Sequence, residues 1–175
     1  ARARLHLANG DYPAAKRDFL TAKRFRERLS AREALTLDSG LAEFGPVQAR
    51  VDILKTIARV YPDNFGSYYN LATNEAFHQH RFQAALTDLQ PALVTQNPYL
   101  RSAVFMSGAI QVGLEKLPEA RKSFERAEGL GSRDPIRYHA DSYAASRDFD
   151  RARQVLATQV LTGLPSFDLE ARLPE

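Results

Sequence analysis

The pair His78 and His80 is the first feature of the sequence that could carry out chemistry. It lies in the segment AFHQHRFQAAL, residues 76–86. Neighbouring imidazoles can ligate a metal ion or transfer protons in acid–base catalysis. A zinc site needs three or four ligands, and no further histidine or cysteine follows nearby, so metal binding is not favoured. The pair is either a site or the end of a helix, and the surrounding pattern decides between these interpretations.

Other candidates for catalysis are few. The chain has no cysteine, which excludes disulfides, thiolate metal ligands and thiol nucleophiles. It lacks a phosphate-binding glycine loop, a Gly-x-Ser-x-Gly elbow and a His-Glu-x-x-His motif. Asp148 and Asp150 could act as paired carboxylates, but their place before a helical segment is typical of helix caps. His6 and His139 are single, and His139 is expected to pack in the core. The sequence therefore predicts no enzyme active site, no metal and no cofactor.

Positive charge is concentrated at the start of the chain. The formal net charge is +3, yet residues 1–32 contribute +6, from nine Lys/Arg against three Asp/Glu. The stretch KRDFLTAKRFRERLSAR (16–32) mixes cations with aromatic residues, a pattern that could contact nucleic-acid phosphates or an anionic membrane surface. We favour a solvated helix surface, or one that packs on another part of the protein. Nucleic acid is thus not an expected partner, and no apolar run reaches the roughly 20 residues of a membrane span.

A repeat of 35 residues organises the chain. Five segments share a turn followed by a helix with apolar residues at a 3–4–3 spacing. The steps between these turns are 35, 35, 35 and 32 residues, since the turns begin at Gly10, Gly45, His80, Glu115 and Arg147. The spacing lays one apolar stripe along each helix. Such a regular phase indicates an array of similar structural units.

Each unit is predicted to be a pair of helices, because helix starts are well marked and no alternating strand pattern occurs. Ser30 and Glu33 form a capping box before a helix over 31–43. Several prolines stand in first turns, where a missing N–H is tolerated; they are Pro13, Pro46, Pro98, Pro118 and Pro135. Pro91 is the exception, since it lies inside a predicted second helix and should bend it.

The chain resembles a tetratricopeptide-repeat (TPR) array. YYNLA (68–72) is similar to the family's first-helix signature, NGDYPAA (9–15) to its turn, and YPD (61–63) and NP (97–98) to its closing proline. This resemblance implies an all-α, right-handed superhelix of about four and a half to five helix pairs over residues 1–161. The implied units are 1–29 (partial), 30–63, 64–97, 98–133 and 134–161, followed by a capping segment, 162–175, with Phe167 and Leu169 as its contact residues.

A second resemblance concerns the wider protein. RVYPDNFGSYYNLA and LSAREAL are similar to repeat regions of bacterial multidomain signalling proteins. These proteins couple an N-terminal winged-helix, kinase or nucleotide-cyclase domain to C-terminal repeats, and cyclase-like proteins associated with peptide modification are one such group. The resemblance implies a regulatory or scaffolding part of a larger bacterial protein, in the cytoplasm or the periplasm. Because the first unit begins midway through its first helix, we expect the segment to come from a longer chain.

Stacking of the units should bury their apolar stripes. Small residues let neighbouring helices approach, and the expected close-approach positions are Ala15, Ala85, Ala120 and Ala152. Large residues fill the remaining space, and the expected fillers are Phe19, Leu54, Leu89, Phe124 and Leu156. In the first helix of the third unit, Tyr68, Leu71 and Ala72 are expected to face the stack. Arg50 departs from the pattern, because it stands where a small residue is usual.

The resemblance also implies a concave groove lined by first helices, which in this family usually holds a peptide or a partner's helix. In the third unit the candidate groove residues are Tyr69, Asn70, Thr73 and Phe77. In the later units, aligned one repeat on, the candidates are Arg101, Val104, Phe105, Gly108, Arg137, Tyr138 and Asp141. Aromatic and Arg residues dominate interface energetics, which suits peptide binding. Only Asn70 and Arg101 match a clamp for a C-terminal carboxylate, so that ligand is not predicted.

The sequence therefore predicts a non-catalytic module that binds a protein or peptide. The alternative is a structural or homo-oligomerisation module, in which the chain's own segments or a second copy of a homodimer fill the groove. Within the repeat, His80 takes the turn position of Gly10 and Gly45. His78 falls in the last helical turn, where the helix dipole favours a histidine. The histidine pair is thus interpreted as the end of a helix, and Phe77 beside it as a binding residue.

Overall fold

The computed structural model describes the backbone of residues 2–132 and 135–161, and the side chains of residues 2–132 and 138–157. Ten α-helices occupy most of this part of the chain: α1 (Arg2–Ala8), α2 (Tyr12–Lys23), α3 (Ala31–Ala42), α4 (Val47–Val60), α5 (Phe65–Thr73), α6 (Phe82–Leu89), α7 (Leu100–Gly113), α8 (Leu117–Gly129), α9 (Pro135–Ala145) and α10 (Phe149–Leu161). A π-helical turn, Asn74–His78, follows α5, and 3₁₀ turns lie at Arg26–Arg28 and Gln90–Ala92.

Consecutive helices pack as pairs, α1 on α2, α3 on α4 and so on to α9 on α10. Short connections make the two helices of a pair antiparallel. The second helix of each pair also packs on the first helix of the next, so the pairs form one continuous stack. The described ranges contain no strand, and the all-α prediction is confirmed. None of the helices in these ranges is long and apolar enough to cross a membrane.

The predicted stack positions form the core. The four close-approach alanines, Ala15, Ala85, Ala120 and Ala152, are completely buried, and the five filler residues are buried with them. Leu71 and Ala72 are also buried. Tyr68 packs against the same core, and its hydroxyl donates a hydrogen bond to the Ala58 carbonyl at 3.1 Å. The sequence therefore located the helix faces that bind the pairs together.

Arg50 occupies a close-approach position without breaking the stack. Its guanidinium is half-buried and forms an ion pair with Glu43, just beyond the end of α3. Burial lowers the pKa of Arg50, and the Glu43 carboxylate opposes that effect. The second pair thus replaces a small apolar contact with an ion pair.

The turns between paired helices recur with one backbone geometry. Gly10, His80, Glu115 and Arg147 all have positive φ, at 74°, 55°, 59° and 59°. In the fourth pair the N–H of the next residue, Lys116, donates to the carbonyl of Gln111 at 2.9 Å, which is the Schellman arrangement at a helix end. Gly45 differs, because its φ is not positive and the next residue, Pro46, has no N–H to make the bond that Lys116 makes. His80 is therefore a turn residue, as predicted from the repeat.

The π turn places one extra residue inside the first helix of the third pair. Its bonds span five or six residues, from Gln79 N–H to the Asn74 carbonyl at 3.2 Å and from Arg81 N–H to the Glu75 carbonyl at 2.7 Å. The wider turn leaves α5 before it and α6 after it in regular contact with their neighbours. Residues before the turn consequently align with the fourth pair by a step of 36, and residues after it by 35.

This change of step corrects two of the groove assignments. Val104 and Gly108 correspond to the stack-facing Tyr68 and Ala72 of the third pair, not to groove residues. Both are buried, and a Cβ on Gly108 would lie 2.5 Å from the Phe124 ring. The expectation that Val104 and Gly108 line the groove is wrong, because it assumed a constant step across the π turn.

The π turn also buries a carboxylate. The Glu75 side chain is completely buried, and Lys55 Nζ on α4 lies 2.9 Å from Glu75 Oε1. A buried carboxylate needs such a partner, because leaving water costs several kcal/mol per ion. The extra residue therefore comes with an ionic contact between the second and third pairs.

The start of α3 and the end of α6 each lie near a sequence signal, the capping box at Ser30 and the proline at position 91. The capping box of Ser30 and Glu33 is present, with Glu33 N–H to Ser30 Oγ at 3.3 Å and Ser30 N–H to Glu33 Oε2 at 2.9 Å. The Ser30 hydroxyl also donates to Glu33 Oε2 at 2.8 Å, and this bond together with the bond from Ser30 N–H lowers the pKa of Glu33. At Pro91 the expectation of a bent helix is wrong. Helix α6 ends at Leu89 and a 3₁₀ turn follows, because its tighter pattern tolerates the missing N–H.

The predicted unit boundaries, from 30–63 to 134–161, stay predictions. The predicted capping segment, 162–175, lies outside the described residues, and so do its contact residues Phe167 and Leu169.

Candidate functional site

An open groove crosses the first helices of the first three pairs. Its volume is about 680 Å³. Helix α1 contributes Arg4 and Leu7, α5 and the loop before it contribute residues 63–67 and Asn70, and the segment before α7 contributes Pro98 and Tyr99. Helix α3 and the residue after it contribute Arg32, Thr36, Ser39, Gly40 and Glu43. The groove adjoins a crevice of about 700 Å³ beside α2, which shares Arg4, Phe19 and Thr36 with it.

The groove residues of α3 and α5 occupy equivalent helix positions. Arg32 and Thr36 lie 34 residues before Gly66 and Asn70, which also line the groove. Side chains four apart lie on the same helix face, so each helix presents the same face to the groove. The groove residues of α3 are absent from the sequence-based prediction. A step of 34 back from Asn70 would have found Thr36.

Most of the charge in the groove is already paired. Arg32 Nη2 lies 2.9 Å from Asp63 Oδ2, and its guanidinium stacks over the Tyr61 ring with 5.1 Å to the centroid. Glu43 pairs with Arg50. Arg4 has no ion-pair partner among the described side chains and stands exposed at the α1 end. The groove thus has a mixed polar and apolar lining in which most of the charge is neutralised, with one cation available at its first-pair end.

Of the candidates in the third pair, Asn70 lines the groove. Asn70 is exposed, and its side-chain amide makes no hydrogen bond within the described part of the chain. Tyr69 is half-buried against the core and lines a smaller pocket next to the groove. The Thr73 hydroxyl donates to the Tyr69 carbonyl at 2.8 Å, within its own helix. Phe77 is exposed in the π turn. A peptide-binding role for these residues stays a prediction.

The candidates of the last two pairs lie away from the groove lining. Phe105 is half-buried, with its ring 5.1 Å from Tyr138 in an edge-on contact and 6.1 Å from Phe124. Tyr138 is partly exposed beyond it, and Asp141 is half-buried. Arg101 is exposed on the first turn of α7. The side chain of Arg137 lies outside the described residues. The structure therefore joins Phe105 and Tyr138 in one aromatic cluster, and their ligand contacts stay predictions.

The histidines take structural positions. His80 lies in the turn, 6.3 Å from the Phe82 ring, and His78 is exposed at the end of the π turn. His139 is buried, stacks on Tyr143 at 5.2 Å and lies 3.2 Å from Glu128 Oε1. Among the described residues no three His, Cys, Asp or Glu are grouped as a metal site would require.

The basic stretch 16–32 is partly neutralised. Arg26 forms two hydrogen bonds with the Asp38 carboxylate, at 2.6 and 3.1 Å. Phe25 is exposed, and the Arg28 guanidinium lies 5.6 Å from its ring. The cations of α2 itself are exposed, as expected for a solvated helix surface; they are Lys16, Arg17 and Lys23. Their lack of affinity for nucleic acid stays a prediction.

Comparison with known proteins identifies the fold through solved structures. No family model matches the chain, and no curated protein matches it in sequence. TTC0263, a thermophilic TPR protein of Thermus thermophilus, superposes with a TM-score of 0.79 at 22% identity, over 98% of this chain and 93% of that one. MamA from Desulfovibrio magneticus RS-1 gives 0.67 at 18% identity, over 89% and 88%. TPR-like repeats of a putative kinesin light chain from Podosopora anserina give 0.68 at 17% identity, over 92% and 93%.

These structures share one architecture with the chain. It adopts the TPR fold, a right-handed superhelical array of antiparallel helix pairs. The fold class that the resemblance implied is confirmed. TPR domains are in general protein-interaction modules without catalytic activity of their own.

Proposed function

We propose that the chain is a non-catalytic module that binds a protein or peptide segment along the groove. The observation that carries this proposal is the alignment of groove residues on successive helices. Thr36 of α3 and Asn70 of α5 lie 34 residues apart and both line the groove. The Thr36 hydroxyl donates to the Arg32 carbonyl at 2.8 Å and so offers an acceptor, whereas the Asn70 amide offers both a donor and an acceptor. Such groups can hydrogen-bond an extended backbone, while Phe65 and Tyr99 supply apolar contact area nearby.

The proposal is tested by selecting binders from a displayed library of random peptides. The affinity of a selected peptide is then measured by fluorescence polarisation for the Asn70→Ala and Thr36→Ala variants. Each is expected to weaken binding about ten-fold, because each leaves a polar group of the bound peptide without its partner. Gln83→Ala on α6 is the matched control, since Gln83 is exposed and does not line the groove. Failure to select any peptide, or unchanged affinity of both variants, would refute the proposal.

The alternative is a homo-oligomerisation module. It is favoured by exposed apolar side chains on the first pair, namely Leu5, Tyr12 and Leu20. Light scattering of the purified chain separates the two functions. A stable dimer that Thr36→Arg dissociates would favour self-association through the groove, one that only Leu5→Arg dissociates would favour self-association through the first pair, and a monomer would exclude both.

We propose further that the module is the regulatory or scaffolding part of a larger bacterial signalling protein. The support is the similarity of RVYPDNFGSYYNLA and LSAREAL to repeat regions of such proteins. The complete coding sequence tests this idea. A winged-helix, kinase or cyclase domain ahead of the repeats would support it, whereas a chain made of repeats alone would contradict it.

A further inference from the structure

A pocket smaller than the groove lies between α5 and α7 and is called the notch here. Its volume is about 290 Å³. Its walls include the rings of Phe65, Tyr69 and Tyr99, and small residues line it at Gly66, Ser102 and Ala103. Asn70 lines both the notch and the groove, so the two cavities are continuous.

The notch exists because two equivalent positions carry little or no side chain. Ser102 corresponds to Gly66 one pair earlier, by the step of 36 that the π turn imposes. The corresponding residue of α3 is Arg32, which fills its position with a long side chain paired to Asp63. The walls between α5 and α7 are thus uncharged at the place where Arg32 puts a long charged side chain on the groove wall between α3 and α5. The notch is a property of the third and fourth pairs and not of every pair.

Tyr99 projects over the notch from a fixed base. Its side chain is 67% exposed, the largest value among the exposed apolar side chains described. Its backbone N–H donates to Asn97 Oδ1 at 2.8 Å, and the buried Asn97 side chain donates to the Ala92 carbonyl at 2.7 Å. An exposed ring on a rigid backbone loses little entropy when a ligand covers it, which is the property of an interface anchor.

The residues that line the notch are uncharged, which disfavours a charged group of a ligand. The notch contains no charged residue, whereas the groove beside it contains Arg4, Arg32, Glu43 and Asp63. Its volume also limits the occupant. An apolar cavity of about 150 Å³ accommodates a benzene molecule, so the notch has room for one phenyl or indole group with its linker. Neutral aromatic walls and this size together match a single large apolar side chain.

We propose that the notch binds one aromatic side chain of an extended peptide, and that Asn70 bonds the peptide backbone where it passes into the groove. This inference rests on the proposed function of the groove. It adds a specificity: the peptide carries a Trp or Phe at one position, and its polar part lies along α3.

The notch is tested on the whole chain with single amino-acid amides as probes. N-acetyl-tryptophanamide and N-acetyl-lysinamide are titrated while the backbone amide NMR signals are followed. The tryptophan probe is expected to shift the signals of Gly66, Ser102 and Ala103 saturably, with affinity at least roughly ten-fold above the lysine probe. Ser102→Leu should abolish this response by filling the notch, and Tyr99→Ala should weaken it. Tyr12→Ala is the matched control, because Tyr12 is also 60% exposed but lies outside the notch.

The outcomes distinguish the notch from the groove. Equal responses to both probes, shifts confined to other residues, or an unchanged response in both Ser102→Leu and Tyr99→Ala would overturn the notch. If one of these variants failed to fold, as judged by circular dichroism, the other variant and the probe comparison would still decide. The peptide selection is scored separately. Selected peptides without an enriched aromatic position would overturn the proposed aromatic specificity of the notch but leave the peptide-binding function of the groove standing. A saturable response of the notch to the tryptophan probe, without any selected peptide, would support the notch as a site for an aromatic side chain and refute the peptide-binding function of the groove.

Discussion

The ammonium group of Lys55 lies 2.9 Å from the carboxylate of Glu75, which is completely buried. Asp88 lies 3.6 Å from the same ammonium, and Arg81 lies 3.8 Å from Glu75 Oε1. Neither carboxylate oxygen of Glu75 has a hydrogen-bond partner of good geometry among the described residues, so Lys55 and Arg81 stabilise it as ion-pair partners. The carboxylate thus depends mainly on Lys55 for the interactions that it lost on leaving water. The contact joins α4 of the second pair to the π turn of the third.

Removal of Lys55 is expected to destabilise the fold. Lys55→Met should lower the free energy of unfolding by about 1–3 kcal/mol, because Glu75 is buried but Lys55 is 44% exposed and Arg81 still lies nearby. Glu75→Gln should cost less, since it removes the buried charge itself. Urea unfolding of both variants measures the difference. Equal losses in the two variants would contradict the contact between Lys55 and the buried Glu75 side chain as the source of the effect.

The same contact predicts a dependence on alkaline pH. The short contact with the Glu75 carboxylate, the largest effect, raises the pKa of Lys55 above its ordinary value of 10.5. A raised pKa in the folded state stabilises the fold below the unfolded pKa, and this contribution disappears as pH rises through the folded pKa. The difference in unfolding free energy between the wild type and Lys55→Met should therefore narrow above pH 10.5. A difference that stays constant up to the most alkaline pH at which the fold persists would be the opposite result.

Gly108 and Gly129 should respond to the same substitution in opposite ways. A Cβ on Gly108 would lie 2.5 Å from the Phe124 ring, so Gly108→Ala should destabilise by about 1–3 kcal/mol through overpacking. A Cβ on Gly129 would meet nothing within 4 Å, so Gly129→Ala in α8 should stabilise by up to about 1 kcal/mol through helix propensity. Thermal unfolding followed by circular dichroism tests both. Gly108→Ala combined with Phe124→Leu should recover part of the loss, and a lack of recovery would mean that the ring is not the obstacle.

The turns offer a route to a more stable chain. Glu115 has a φ of 59°, a conformation that costs a non-glycine residue roughly 1–2 kcal/mol. Glu115→Gly should raise the free energy of unfolding by about 0.5–1 kcal/mol, after the greater freedom of glycine in the unfolded chain is deducted. Arg147→Gly should behave alike, and Gly10→Ala should have the opposite sign. A lower melting temperature for Glu115→Gly would show that its side chain has a compensating role.

The stack was predictable from sequence because its residues obey a local rule. The second helices keep the repeat step of 35 residues, and small and large core residues follow each other at helical spacing. Examples are Ala85 and Leu89 in the third pair, and Ala120 and Phe124 in the fourth. Burial of an apolar stripe leaves few alternatives, so pattern and structure agree there.

The groove was harder to predict because it depends on first helices, where the step changes. No residue type marks the π turn in advance, since Asn74 and Glu75 are ordinary helix residues. Their burial follows only from the neighbouring pairs. Gly66 and Ser102 escaped notice for a different reason. A cavity forms where side chains are small or absent, and such residues carry no group that a sequence pattern would mark as ligand-binding.

The π turn is a place where the chain can gain or lose one residue in evolution. Because Asn74–His78 holds the extra residue within the helix, the pairs on either side keep regular packing. Loss of one residue from this turn should restore an ordinary helix and remove the buried Glu75 contact, while the pairs on either side keep their packing. Related chains that differ by one residue here would have the same shape, and an alignment would place the gap inside a helix rather than in a loop.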